Sequence, residues 1–342
     1  MFWRSGYTAS LNTFRFQFRP TPTQRNALTI QENFRNVAKW VLRRVGLLEY
    51  TVRLLKSADL FRPPFAASVN KLNSAFRLPD NTKNRHALDI ETTGLLAREL
   101  TTAIPPGDLI YLVNGHRDGH NYAASRGATV RNILELLNDA TVDYRGFRSI
   151  LDFGCGCGRI LAGWEHLIGD RTKLYGFDIN PTLIEFCQKN IPFATTAVSA
   201  YFPPLPLSDA SVDFAYAGSV WTHLSLPAAM QWAGEFARVI APGGVAMMSY
   251  HGSYFAPVLA SNSREGARQL EEKGFYAHLH GSAKDTFAGS NNYATFMTSA
   301  FMRQLFAGFD VLRIYPGVSE GPNPFASYQD IAVLRRRPDT LD

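Results

Sequence analysis

The sequence has little cysteine and no long apolar run. Its 342 residues include only three cysteines, and none of them stands in the Cys-x-x-Cys or histidine spacing of a zinc site. No uninterrupted apolar stretch approaches the roughly 20 residues that cross a bilayer. These absences argue against a disulfide framework, a structural metal and a transmembrane helix, and they favour a cytoplasmic protein.

Charge is also scarce, and it is unevenly distributed. Charged residues make up 19% of the chain and hydrophobic residues 46%, with a net charge of +6, as in an ordinary globular protein. Residues 1–77 hold thirteen lysines and arginines against three acids, whereas the remainder holds 22 basic and 26 acidic residues. The asymmetry predicts a basic, mainly helical N-terminal extension over residues 1–110 and a separate domain over residues 111–342.

Within the extension, apolar residues recur every three or four positions from Ile30 to Leu55, which is typical of an amphipathic helix. Five basic residues lie off this stripe: Arg35, Lys39, Arg43, Arg53 and Lys56. Three interpretations stay open. The helix packs on the body or on a second copy in a homodimer, it lies on an anionic membrane surface, or it contacts nucleic acid.

After residue 148, apolar runs typical of strands alternate with helical patterns. The strand candidates are 149–153, 173–179, 193–198, 212–219, 243–250, 309–316 and 328–336, and the helix candidates are 158–168, 181–190, 227–240 and 298–307. Apolar strands separated by helices predict an α/β fold with a doubly wound, mostly parallel sheet. Only a loop joins the last two strands, which predicts a hairpin with one antiparallel member.

The segment ILDFGCGCGRI, residues 150–160, places three glycines at alternate positions directly after the first strand. At the end of the second strand stands Asp178, whose carboxylate suits a ribose diol. The dinucleotide fingerprint requires glycine where this chain has Arg159, so that motif fails. An acid at the head of the glycine run, Asp152, instead suits a ligand with a cationic amino group.

Residues from about 116 to 335 resemble the class I S-adenosylmethionine-dependent methyltransferases. Five ordered segments carry the resemblance: LDFGCGCGRI, YGFDIN, PLPLSDASVDFAYAGSVWTHL, EFARVIAPGGVAMMSYHG and YQDIAVLRR. The resemblance implies a seven-stranded sheet with the last strand inserted antiparallel. It also implies S-adenosyl-L-methionine as the cofactor and methyl transfer as the reaction.

The same resemblance implies a cofactor site at the carboxyl ends of the first four strands. Its expected residues are Asp152, Gly154, Cys155, Gly156, Gly158, Asp178, Ile179, Ser199, Gly218 and Ser219. Asp152 is expected at the amino group, Asp178 at the ribose and Ile179 at the adenine. Where many members have Asp or Asn to bind the adenine amino group, this chain has only Ser199, so main-chain contacts are expected there.

Two histidines follow strands four and five, where a general base would stand. They are His223 and His251, and the alternative for each is a helix-capping or orienting role. Residues expected to contact the methyl acceptor, or to form the walls of its pocket, are His120, Tyr122, Trp221, Tyr250 and Tyr293.

One further segment is expected to cover the cofactor, as a lid or through contact with the substrate, and another is expected to shape the acceptor pocket. A glycine-rich cap loop over residues 114–127 contains His116 and His120, but its glycines argue against a rigid metal site, so no metal is expected. An insert over residues 252–300 adds the candidates His278, His280, Asp285 and Tyr293.

The sequence therefore predicts an S-adenosylmethionine-dependent methyltransferase. Its expected reaction is O-methylation of a polar small molecule or saccharide. The first alternative is a methyltransferase acting on nucleic acid or at a membrane surface through the basic helix. The second is a non-catalytic scaffold that binds S-adenosylmethionine.

Overall fold

The computed structural model describes residues 88–169, 171–279, 293–317, 325–326 and 328–338. The helix expected between Ile30 and Leu55 lies outside these ranges, so its three interpretations stay predictions. None of the helices in the described ranges has the length and apolar character needed to cross a membrane.

A seven-stranded sheet forms the centre of the described structure. The described ranges contain nine strands, seven in this sheet and two in a separate pair. They are β1 (Ser149–Phe153), β2 (Lys173–Asp178), β3 (Ala194–Val198), β4 (Val212–Ala217), β5 (Ile240–Tyr250), β6 (Phe275–Leu279), β7 (Tyr293–Met297), β8 (Phe309–Tyr315) and β9 (Asp330–Arg336). The main sheet has the order β3-β2-β1-β4-β5-β9-β8, and β6 and β7 pair separately. Strand β9 runs antiparallel to both β5 and β8. The predicted mostly parallel sheet with one antiparallel strand is confirmed.

Helices cover both faces of the sheet. They are α1 (Ile90–Leu96), α2 (Gly107–Asn114), α3 (Gly119–Asp139), α4 (Arg159–Gly163), α5 (Pro181–Asn190), α6 (Leu226–Val239), α7 (Ala256–Asn262), α8 (Arg264–Lys273) and α9 (Ser299–Leu305). Successive strand residues point to opposite faces, so Leu151 joins one apolar core and Ile150 the other. The resulting three layers leave the carboxyl edge of the parallel strands as the place for a ligand.

The segment predicted as a cap loop, residues 114–127, is mostly helix, which corrects the prediction. Helix α3 begins at Gly119 because the Asp118 side chain accepts hydrogen bonds from the amides of His120 (2.9 Å) and Asn121 (3.0 Å). An aspartate cap therefore outweighs the helix-weakening effect of the glycines. The predicted domain boundary between residues 110 and 111 also lies inside a helix, since α2 spans it.

The insert over residues 252–300 contains α7, α8 and the β6–β7 pair, which the sequence patterns did not predict. Strand β7 is fastened to the edge of the main sheet by its backbone. Thr295 N donates to Thr222 O at 2.9 Å, and Met297 N donates to His251 O at 3.0 Å. The insert consequently lies beside the loops that follow β4 and β5.

The connection between α1 and α2 is held by one carboxylate, that of Glu165, two residues after the end of α4. Glu165 accepts hydrogen bonds from the amides and the hydroxyls of both Thr101 and Thr102. A buried Arg126 adds a bond of 2.7 Å from its Nη1 to Thr102 O. Because α2 starts five residues later, these bonds set where α2 lies over the glycine-rich loop.

We expect Glu165→Ala to lower stability by about 1 kcal/mol at neutral pH, with allowance for solvent screening. Burial by itself would raise the pKa of Glu165, but the hydrogen bonds from Thr101 and Thr102 outweigh it and lower that pKa from its ordinary value. A depressed pKa gives stability above the unfolded value of about 4.3 and loses it as pH falls through the folded value. The melting difference from the unaltered protein should therefore shrink between pH 5 and pH 3, roughly the window set by those values.

The exposed Glu271→Ala in α8 is the control for this measurement, since its carboxylate holds no comparable connection. Equal melting temperatures for Glu165→Ala and the control at neutral pH would contradict the role given to Glu165.

Candidate functional site

The loop between β1 and α4 carries the three glycines of the motif. Gly154, Gly156 and Gly158 have φ values of +77°, +57° and +79°, a region that favours glycine. The amides of Gly154 and Cys155 donate to Phe177 O at 2.7 and 3.1 Å. These bonds tie the loop to the carboxyl end of the neighbouring strand β2.

Asp178 ends β2 and makes the central contact of the site. Its Oδ2 accepts from Gly156 N and its Oδ1 from Asn180 N, both at 2.8 Å. Burial raises the pKa of Asp178, and the two amides oppose that rise. A carboxylate has about four acceptor positions, so each oxygen keeps one for a further donor such as a hydroxyl.

Asp152, in β1, is a buried carboxylate with an unused oxygen. Only 1% of the residue is exposed, and its Oδ2 has no hydrogen-bond partner. Burial raises the pKa of Asp152 to about 8, while hydrogen bonding from Tyr216 and the charge of Arg159 act in the opposite direction. An unpaired buried oxygen is costly, and a cationic ligand group would satisfy it.

After β4 the backbone is strained at Ser219, whose φ is +62°. A closed set of hydrogen bonds holds it there. Ser219 N donates to Ser249 Oγ (2.7 Å), Ser249 Oγ donates to Gln329 Oε1 (2.7 Å), and Gln329 Nε2 donates to Ser219 Oγ (2.8 Å). A non-glycine residue in this region costs about 1–3 kcal/mol and persists only where its surroundings enforce it. The predicted position of Gly218 and Ser219 is therefore a rigid turn at the carboxyl edge.

The glycines also allow close packing of protein groups. A Cβ added at Gly156 would lie 2.8 Å from Val113 Cγ2 of α2, and one added at Gly154 would collide with Val220. Helix α2 thus covers the loop, a function that the sequence analysis gave to residues 114–127.

Two predicted cofactor contacts also pack against the core. A Cβ at Gly158 would collide with Ile191, so this glycine serves packing next to α5. The Cys155 side chain is 5% exposed, and its Sγ lies 3.7 Å from Gly156 O. The Cys155 side chain therefore lies in the core, and contacts of the cofactor with the backbone of Cys155 and Gly158 stay predictions.

The predicted adenine contacts lie next to Asp178. Ile179 is half-buried directly after β2, and Ser199 is buried directly after β3. Ser199 N donates to Asp178 O at 2.9 Å, so that amide is already used within the fold. The adenine contacts of these two residues stay predictions.

Both candidate bases are bonded to strand β7. His223 Nδ1 lies 3.1 Å from Tyr293 O, and His251 Nδ1 lies 3.1 Å from Thr295 O. A carbonyl only accepts, so each Nδ1 carries the hydrogen. In the neutral ring Nε2 is then the basic nitrogen.

The two histidines differ in their surroundings. The His251 ring packs against Phe255 at a centroid distance of 4.4 Å and against Phe296 at 5.2 Å. It therefore forms part of the apolar contact between the insert and the sheet. His223 follows the strained turn after β4 and is half-buried.

Three of the predicted acceptor contacts are core residues, which corrects them. Tyr122, Trp221 and Tyr250 are each exposed by 1% or less. Tyr122 donates to Cys157 O at 3.1 Å, and Trp221 packs edge-on against Phe236 at 5.1 Å. Their side chains close the interior instead of lining an acceptor pocket.

The remaining acceptor candidates lie at the surface or outside the described ranges. His120 is exposed in the first turn of α3, and Tyr293 is half-buried at the start of β7. His278 lies in β6 and stacks on Tyr276 at 5.6 Å. His280 and Asp285 lie outside the described residues.

Residues 150–244 match a family model described as a methyltransferase domain. The matched residues include the glycine loop, Asp178 and the turn after β4. These residues form a methyltransferase domain. S-adenosylmethionine is the cofactor that the resemblance implies for such a domain. The unused oxygen of Asp152 and the remaining acceptor positions of Asp178 fit the amino group and the ribose of that cofactor.

A protein of Streptomyces fradiae matches part of this chain. An uncharacterized 37.1 kDa protein in a transposon of Streptomyces fradiae is 31% identical over 121 residues, which cover 34% of each chain. The match thus spans about a third of that relative's length.

Solved structures are less similar. A methyltransferase from Methanosarcina mazei is 18% identical over 56% of this chain and 93% of its own, with a TM-score of 0.43. A methyltransferase from Mesorhizobium loti is 16% identical over 60% of this chain and 98% of its own, with a TM-score of 0.40. The TM-scores are low, so the family match and the sheet topology carry the assignment.

Several site residues were missed by the sequence analysis. Val113 had a usable signal, because α2 is an apolar run between Pro106 and the left-handed Gly115. Gln329 and Ser249 had none, since they meet only after β9 inserts beside β5.

We expect Gly156→Ala to destabilise the methyltransferase domain through two separable causes. A left-handed alanine costs about 1–2 kcal/mol, and its Cβ conflicts with Val113. Val113→Ala removes only the second cause, so Gly156→Ala should cost less in that background. The free energy of unfolding from urea titrations of the four variants measures the coupling. An identical cost in both backgrounds would show that α2 does not lie on the loop.

Proposed function

We propose that the chain is an S-adenosylmethionine-dependent O-methyltransferase that acts on a hydroxyl of a polar small molecule or saccharide. The observation that supports an oxygen acceptor is the hydrogen bond from His223 Nδ1 to Tyr293 O, which makes Nε2 the basic nitrogen. A hydroxyl needs a base to take its proton during attack. An amine delivered in its neutral form does not.

In this proposal the carboxyl edge of the sheet holds the cofactor by its two polar ends. Asp152 Oδ2 accepts from the amino group, and Asp178 accepts from the ribose hydroxyls. Gly218 and Ser219 border the methionine part, and Ile179 packs on the adenine. The bound cofactor would supply an electrophilic methyl group on a sulfonium, and its sulfur would keep the electron pair of the broken carbon–sulfur bond and leave as a neutral thioether.

The protein then aligns the acceptor and removes one proton. Holding the acceptor oxygen in line with the methyl group accounts for roughly 7–11 kcal/mol of the barrier. His223 Nε2 takes the hydroxyl proton as the oxygen attacks, and Tyr293 O stabilises the imidazolium through Nδ1–H. His251, packed between aromatic rings, fixes the insert in place.

We also propose that the protein is cytoplasmic. The support is that Cys155, Cys157 and Cys187 are all free and buried, as expected in a reducing compartment. A homodimer through the N-terminal helix, contact with nucleic acid or a membrane, and the non-catalytic scaffold all depend on residues outside the described ranges. They stay predictions.

We expect Asp178→Ala to weaken cofactor binding at least tenfold, because hydrogen bonds to a charged group contribute about 1.5–3 kcal/mol. Calorimetric titration with S-adenosylmethionine measures the effect. Asp213→Ala is the matched control, since Asp213 also accepts backbone amides, from Arg148 (2.7 Å) and Ser149 (3.0 Å), but at the amino end of β1. Equal affinities for the two variants would place the ribose elsewhere.

For the base, the informative change is His223→Asn, whose amide N–H can still donate to Tyr293 O. Loss of general-base catalysis predicts a fall in turnover of about 10²–10⁴-fold, with cofactor affinity unchanged. His251→Asn keeps the equivalent bond to Thr295 O and is expected to stay within about tenfold of the unaltered rate.

Turnover is measured as transfer of labelled methyl from S-adenosylmethionine into the small-molecule fraction of a cell extract, followed by mass identification of the product. Unchanged turnover in His223→Asn would remove it as the base. A product methylated on nitrogen, or label only in nucleic acid, would contradict the proposed acceptor.

A further inference from the structure

We propose that Tyr216 is a positioning residue for Asp152, holding one carboxylate oxygen so that the other faces the amino group of the cofactor. This inference rests on the proposed function, because it assumes that Asp152 binds that amino group. Tyr216 belongs to β4, and in the strand register it lies directly beside Asp152 of β1. Both residues are buried, with exposures of 0% and 1%.

The hydrogen bond that the Tyr216 oxygen accepts determines where the hydroxyl can donate its own hydrogen. Trp164 Nε1 donates to the Tyr216 oxygen at 3.0 Å, and an indole N–H is only a donor. The Tyr216 hydroxyl must therefore direct its own hydrogen to another acceptor. Asp152 lies directly beside Tyr216 in the strand register, so we infer that its carboxylate is that acceptor, and the direction in which Tyr216 acts on the pKa of Asp152 agrees with this. Full burial excludes water from this position.

One hydroxyl satisfies one oxygen of a carboxylate. Asp152 Oδ2 has no partner in the structure and no exposure to solvent. The Trp164 and Tyr216 rings are stacked, with centroids 6.3 Å apart and planes 28° apart, so the hydroxyl has little freedom to move. The pair thus leaves one defined oxygen for a cationic donor.

The other charged and titratable groups near Asp152 do not neutralise it. Arg159, at the start of α4, directs its Nη1 to Thr129 Oγ1 at 2.6 Å, and among the described residues no ion pair joins it to Asp152. Asp178 faces Asp152 from β2 and repels its charge. The Cys155 thiol, on the loop after β1, stays protonated because burial raises its pKa.

Because Asp152 is buried without a cationic partner, its carboxyl group must lose a proton when the amino group of the cofactor binds. Burial, the main cause, raises the pKa of Asp152 to about 8, so at neutral pH the Asp152 carboxyl group is mainly neutral before a cation binds beside it. Binding of an ammonium group requires the carboxylate. Removing the Tyr216 hydroxyl, which favours the charged form, should raise the pKa of Asp152 further and weaken binding most where the group is protonated.

The test compares the affinity of Tyr216→Phe and of the unaltered chain for S-adenosylhomocysteine, by calorimetry between pH 6.5 and pH 9.5. This compound carries the same amino group, and its own titration cancels in the ratio of the two dissociation constants. We expect the variant to bind about tenfold more weakly at pH 7, with the ratio approaching one at pH 9.5. A merely structural role would give a loss that does not depend on pH.

Two further variants complete the experiment. Tyr144→Phe removes a tyrosine hydroxyl that also contacts an aspartate, Asp89, away from the carboxyl edge, and it should leave affinity unchanged at every pH. Asp152→Asn carries no titrating group, so its affinity should lose the pH dependence that the carboxyl group causes. Thermal melting confirms that each variant is folded.

The outcomes separate the two proposals. No binding of S-adenosylhomocysteine by the unaltered chain at any pH would contradict the proposed function itself. Binding by the unaltered chain with a constant ratio for Tyr216→Phe would overturn the role of Tyr216 alone. An unchanged pH profile in Asp152→Asn would also overturn the role of Tyr216. This second variant leaves the Tyr216 hydroxyl in place, so it tests the Asp152 carboxyl group directly.

Discussion

The hydrogen bond from Gly156 N to Asp178 Oδ2 joins the loop after β1 to the end of β2. It forms only because the loop carries left-handed glycines at Gly154, Gly156 and Gly158, which let the backbone turn back toward the neighbouring strand. The contact fixes the Asp178 carboxylate, and with it the distance between the two acidic positions of the site. It also places the loop against α2, where Gly156 lies next to Val113. The position of Asp178 and the packing of α2 therefore both depend on this one short loop.

A second constraint is the cost of keeping Asp152 buried without a cation. A protein selected for stability alone would place an apolar residue or a paired charge there. The unused oxygen of Asp152 is instead a destabilised feature that a ligand can relieve, in keeping with the observation that strained and unsatisfied groups concentrate at functional positions. Ser219 is a further example, since its backbone strain is maintained by Ser249 in β5 and by Gln329, which directly precedes β9.

The proposed acceptor side of the site borders the insert, and two histidines hold strand β7 of the insert in place. Strand β7 receives a hydrogen bond from His223 at Tyr293 and from His251 at Thr295. The orientation of each imidazole is consequently set by the backbone that it holds. Each candidate base, His223 or His251, therefore also makes a structural hydrogen bond to β7. For this reason the position of a histidine in the sequence could not distinguish an orienting role from a catalytic one.

The sequence by itself determined the strands of the main sheet and the positions of Asp152 and Asp178 in β1 and at the end of β2. Strand β1 and helix α5 have the predicted bounds, because apolar periodicity and the Asn180 cap with Pro181 at the first helical position are local signals. Tertiary structure decided which side chains face a ligand. Trp221 and Tyr250 were expected at the acceptor and lie in the core, and the partnership of Asp152 with Tyr216 exists only because β4 pairs with β1. Exposure and partnership depend on how strands are ordered across the sheet, and that order arises from contacts between residues far apart in the chain.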